Sequence, residues 1–140
     1  MAITAAICNS FKTEILQGVH EAGDTYKIAL YPSSATLSKS TATYSSTGEV
    51  ANGSGYTTGG ATLSGFSVTL DTDTAILDWT VDPTWTTATI TARGALIYNS
   101  TQDDKAVAVL DFGGDIASTA GTFTVTLPAP EAGTGLIRIT

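Results

Sequence analysis

The sequence predicts an all-β protein, a mainly antiparallel β-sandwich or jelly roll with one short N-terminal helix. Three observations carry this. After Gly23, apolar residues alternate with Thr and Ser at a spacing of two, as in Phe66, Val68, Leu70 and in Ala88, Ile90, Ala92. The polar members of the alternation are largely threonine, whose β-branched side chain suits a pleated surface. Turn residues recur at close intervals, which implies roughly seven to nine short strands. A chain of 140 residues is read as a single domain over 1–140, large enough to bury a core without metals or disulfides.

The first element is an N-terminal arm and helix over about 1–22. Asn9 or Ser10 suits the N-cap, Phe11, Ile15, Leu16 and Val19 form one apolar stripe, and Gly18 falls where a C-terminal cap belongs. So short a helix cannot stand alone and must pack on a sheet. Thr25–Tyr31 follows as a strand with Tyr26, Ile28 and Leu30 on one face and Lys27, Ala29 and Tyr31 on the other, ended by Pro32. The Ser/Thr/Gly-rich stretch over about 33–60 reads as a long loop with a weak extended patch at Glu49–Val50. Loop and arm are both expected to order on docking to a partner.

Strands then follow quickly: GFSVTLD, TAILDWTV, TTATITA, ALIY, KAVAVLDF, GTFTVTL and GLIRIT. The polar run Asn99–Asp104 predicts a hairpin between ALIY and KAVAVLDF. Residues 65–127 are expected to form most of two facing sheets, with Phe66, Val68, Leu70, Leu77, Trp79, Ile90, Val107, Val109, Phe123 and Val125 inside.

Composition narrows the function. Charged residues make up 14%, well below the average of about 25%. Such a hydroxyl-rich, sparsely charged surface suits close contact with other subunits. A net charge of −7 with six lysines and arginines, none clustered, argues against nucleic acid and anionic membranes as partners. The single cysteine, Cys8, allows no intrachain disulfide and agrees with assembly in a reducing cytoplasm. The apolar start lacks a basic region and is too short for a signal peptide or a membrane span.

Residues with chemical potential do not form a set. His20, the single histidine, has Cys8 and Glu21 near it in sequence but no motif joining them; a cation at a helix C-terminus is the simpler role. Cys8 precedes a helix start, where a thiol pKa can fall, but its apolar segment reads as buried. Asp71, Asp73, Asp78 and Asp82 lack the glycine and distal glutamate of an EF-hand loop, and Asp71 and Asp73 read as flanking a turn. Trp79 fits the apolar face of its strand, whereas Trp85 follows Asp82–Pro83 and reads as exposed, a sugar platform or a subunit anchor. The glycines of 54–60 and 113–114 lack a phosphate-loop lysine. The expectation is a non-enzyme with no catalytic, cofactor-binding or metal residues.

Several segments together, CNSFKTEILQGVH, YKIALYPSSATLS, TGEVANGSGYTTGGATLSG, WTTATITARGALIYNS, KAVAVLDFGG and GTFTVTLP, resemble a group of small structural proteins of tailed-phage particles. The resemblance covers nearly the whole chain and carries no catalytic or ligand residues. It implies a virion structural protein: a capsid decoration (cement) protein that bridges major capsid subunits on the capsid exterior, after assembly in the host cytoplasm. A tail or baseplate component is the alternative within that class. A carbohydrate- or receptor-binding β-module is the alternative outside it. Low charge and strands apolar on both faces, as in Ala95–Tyr98 and Ala106–Phe112, also predict self-association as a dimer or trimer. Trp85, Tyr44, Tyr56 and the N-terminal arm are the expected subunit contacts.

Overall fold

The computed structural model describes residues 2–140. In chain order the elements are β1 (Ala6–Ile7), α1 (Asn9–Leu16), β2 (Tyr26–Tyr31), β3 (Ala61–Thr62), β4 (Ser64–Asp71), β5 (Thr74–Val81), β6 (Thr84–Asn99), β7 (Lys105–Thr124) and β8 (Ile137–Ile139). They form an antiparallel five-stranded sheet, β1-β7-β6-β2-β3, and a three-stranded sheet, β4-β5-β8. The sheets meet through aromatic contacts: the Tyr26 ring stacks on Phe66 at 5.4 Å and meets the edge of Trp79 at 5.3 Å. One hydrophobic cluster runs from Ile3 to Ile137. The predicted all-β architecture with one short helix is therefore what the chain adopts.

Strand lengths differ from expectation. TTATITA and ALIY are one strand, β6, and KAVAVLDF continues through Gly113–Gly114 into GTFT as β7. Gly94, which separates TTATITA from ALIY in the sequence, is a packing position within β6. A Cβ on Gly94 would run into the Leu110 carbonyl and the Ile3 side chain. Register shifts along the β6–β7 pair let these long strands bend where a flat ribbon would splay from the core. Their expected hairpin forms, and Asp103 and Asp104 take left-handed backbone at its end (φ 55° and 57°).

Of the ten residues expected inside, Trp79, Ile90, Val107, Val109, Phe123 and Val125 are buried. Phe66 and Leu77 are half-buried, while Val68 and Leu70 are 62% and 72% exposed. Alternation identifies which side chains share a face; it does not say how far the opposing layer reaches. The outer end of the β4–β5 hairpin extends beyond its cover.

The N-terminal arm and the long loop are held by the sheet rather than left free for a partner. Ile3 bridges Leu37, the Thr4 N–H donates to the Leu37 carbonyl, and the Cys8 N–H donates to Val107. Loop residues cover the second face of β2 and β6: Tyr31 Oη donates to the Ser45 carbonyl and Tyr98 Oη to the Gly59 carbonyl. This explains why β2 is buried on both faces. The loop lies close enough that Gly60 (φ 80°) has no room for a Cβ, which would overlap the Ile28 carbonyl. In α1 the N-cap is Cys8, which makes no side-chain cap, and Asn9 is the first helical residue. Gly18, just beyond the C-cap Gln17, has φ 72° and gives the left-handed exit its position suggested.

Candidate interaction surface

Polar side chains gather in three places, and each joins segments of the fold. His20 lies in the first. Its Nε2 is 3.0 Å from Glu14 Oε1, and its Nδ1 is 3.0 Å from Asn99 Nδ2. Asn99 Oδ1 accepts from the Thr101 and Gln102 N–H groups, and Nδ2 also donates to Asp24 Oδ2 at 2.8 Å. The amide is thereby oriented, so His20 Nδ1 must accept and Nε2–H must donate to Glu14. His20 thus bridges α1 and the β6–β7 turn through its two ring nitrogens. Burial opposes the charge on Asp24, but hydrogen bonds from Asn99, the Glu21 N–H and Gln102, with the nearby His20, hold its carboxyl below the ordinary range. Cys8 is fully buried; burial first, then the nearby Glu14, outweigh Lys12 and push its thiol up to about 11. A thiol held neutral this way is a poor nucleophile.

The second place gathers two of the expected contact residues around one that the sequence did not single out as a site. Glu49 accepts from Tyr44 Oη at 2.6 Å, from Tyr56 Oη at 2.5 Å and from the Gly59 N–H at 2.8 Å. Tyr56 Oη also accepts the Leu30 N–H at 2.9 Å, and Tyr44 stacks on Tyr98 at 4.4 Å. Tyr56 and Trp85 are 2% and 7% exposed, and Tyr44 is half-buried. Trp85 therefore does not stand in solvent as expected; it packs between Tyr56 and Phe123, each 6.0 Å away. Its connection looked exposed because the loop that covers it lies some thirty residues earlier in the chain.

The third is the aspartate run. Asp82 Oδ1 accepts the Leu127 N–H, Asp71 Oδ2 the Ala132 N–H and Asp78 Oδ2 the Leu136 N–H. The carboxylates spaced along β4 and β5 thus fasten the C-terminal segment beside them. Asp71 also closes the expected turn, through Thr72–Asp73, to Thr74. Among the described residues no group of three His, Cys, Asp or Glu side chains is placed to hold a metal ion.

What remains open is a set of clefts, partly polar between β1, β7 and the C-terminal strand and mainly apolar elsewhere. Where the sheets diverge, clefts of about 520 Å³ and 450 Å³ adjoin at Ala5, Leu110 and Leu136. Two smaller hollows of about 300 Å³ and 260 Å³ continue around β8 and share Ile15, Ile137 and Ile139. Leu16 (88% exposed) and Val68 line this furrow, and Leu70 lies next to Val68's end of it on β4. Contiguous exposed apolar side chains of this kind mark contact with other molecules. Among the described residues no helix is long and apolar enough to cross a membrane.

No protein-family model, curated protein or solved structure matches this chain.

Proposed function

We propose that this chain is a non-enzymatic structural subunit that works by binding other protein subunits. The observation that carries this reading is the exposed apolar furrow around β8 with the uncovered end of β4. The polar clusters support it, because their donors and acceptors are engaged in joining segments of the fold. Following the resemblance in its sequence, we assign it to a tailed-phage particle as a decoration protein that bridges major capsid subunits. Contacts added across capsid joints stabilise the assembled shell by mass action. A sugar-binding module fits less well, since both tryptophans, Trp79 and Trp85, are buried and neither offers a flat exposed platform.

The test is to strip the protein from particles, or delete its gene, and heat the capsids. Capsids proven to lack it should release their DNA at a lower temperature. Unchanged heat resistance refutes the decoration role, and labelling confined to the tail moves the protein to a tail or baseplate position.

A further inference from the structure

We propose that two copies of this chain pair through β4, antiparallel and two-fold symmetric about Val68, to join their three-stranded sheets into one of six strands. The pairing is a property of the chain alone and goes beyond the particle role proposed above.

The first argument is the state of the edge. β4 pairs with β5 on one side and, among the described residues, with no strand on the other. The two-residue turn Thr72–Asp73 closes on the Asp71–Thr74 pair, and hydrogen-bonded pairs alternate along an antiparallel ladder. The backbone groups of Asp71, Thr69 and Ser67 therefore point at β5, and those of Leu70, Val68 and Phe66 point outward. Among the described residues no turn or loop group bonds to those three. Long free edges are normally blunted by lysine, proline or a bulge. Ser64–Leu70 contains no lysine, no proline and no charge; the ladder is interrupted at Gly65 (φ 78°), outside the proposed contact, and runs without a break from Phe66 to Asp71.

The second argument selects a second copy as the occupant, and selects the register. Pairing about Val68 sets Val68 against itself and Phe66 against Leu70 of the other copy, so like meets like along one face. Val68 and Leu70, the exposed residues of that face, gain an apolar cross-strand neighbour each. A chain of net charge −7 repels its copies, so contact must fall on an uncharged segment. With the axis at Val68, each Asp71 lies opposite Gly65 of the other copy, and the two Asp71 residues are about 20 Å apart, beyond the screening length. Moving the axis to Leu70 would bring them within about 7 Å. Specific interfaces bury on the order of 1,000 Å² or more in total and weak, transient ones less, so a short strand ladder is expected to give a weak dimer of micromolar strength.

Sedimentation equilibrium of the full chain across the micromolar range should show a reversible monomer–dimer equilibrium. Val68→Lys, which sets two ammonium groups opposite one another at an exposed site, should weaken it at least tenfold with unchanged circular dichroism. Single cysteines give an independent readout, with native Cys8 silent because it is buried. Val68→Cys places paired Cα atoms about 5.5 Å apart, within disulfide reach. Leu70→Cys leaves its own pair about 14 Å apart. Rapid oxidative cross-linking of Val68→Cys, with Leu70→Cys slow, supports the pairing. A wild-type chain that stays monomeric or forms trimers, or a Leu70→Cys variant that cross-links as fast as Val68→Cys, overturns it. None of these outcomes depends on where in a particle the protein sits.

Discussion

Alkaline solution should unfold this protein in one steep step, because its ionisable hydroxyls and its thiol are held neutral by the fold. Burial is the first cause at every one of the five tyrosines. Neighbouring carboxylates add to it: Asp24 at Tyr26, Glu49 at Tyr31, Tyr44 and Tyr56, and Asp104 at Tyr98. Tyr98 is pushed up to about 12, and Tyr26, Tyr31, Tyr44 and Tyr56 are all raised above their ordinary value. The sign follows from linkage. A group whose folded pKa exceeds its unfolded value gives stability that is complete below the unfolded pKa and lost as pH rises towards the folded one. The unfolded chain starts to release protons from its thiol near pH 9 and from its phenols near pH 10, while the folded chain holds them. At about pH 11 each buried tyrosine has cost on the order of 1 kcal/mol, so Tyr26, Tyr31, Tyr56 and Tyr98 together remove roughly 4–6 kcal/mol. Cys8 removes about 2 kcal/mol more between pH 9 and 11. Half-buried Tyr44 is left out of this figure. The loss is comparable with the whole stability of an ordinary domain, about 5–15 kcal/mol. Phenolate absorbance followed with circular dichroism through the titration should therefore show the tyrosines ionising together, at the pH where ellipticity collapses. Phenols that titrate one by one near pH 10 in a protein with native ellipticity would refute the reasoning.

Three substitutions probe other parts of the same physics. Glu49→Ala removes the acceptor for two phenols and the Gly59 N–H and should cost about 2–4 kcal/mol by urea denaturation. Glu49→Gln, which keeps one oxygen in place, should cost less than half as much. Gly60→Ala should lose about 2 kcal/mol or more, since a Cβ overlaps the Ile28 carbonyl at positive φ, whereas Gly133→Ala, in open space, should leave the melting temperature unchanged. Phe123→Ala should cost about 3–5 kcal/mol, because the ring is buried against Trp85 and Phe112; wild-type stability there would mean that the interior of the sandwich is misassigned.

Alternation with threonine was enough to predict two-sheet β architecture and the strand Thr25–Tyr31, and polar turn residues the Asn99–Asp104 hairpin and a turn flanked by Asp71 and Asp73. Each is set by local preference within a few residues of chain. A short N-terminal helix and the glycine exit at Gly18 were legible for the same reason, whereas the apolar stripe was not: Val19 lies beyond the last helical residue and Leu16 faces solvent. Coverage is another matter, since it is decided by segments distant in sequence. Trp85 is inside because Tyr56 and its loop fold over it, and Val68 and Leu70 are outside because the second layer ends before it reaches them. The partners of Asp78 and Glu49 were hidden likewise, as a carboxylate in sequence does not reveal which remote N–H or hydroxyl it will meet. The open edge of β4 is the clearest case. Its residues resemble those of any strand, and only the tertiary order β4-β5-β8 leaves one side of it without a neighbour.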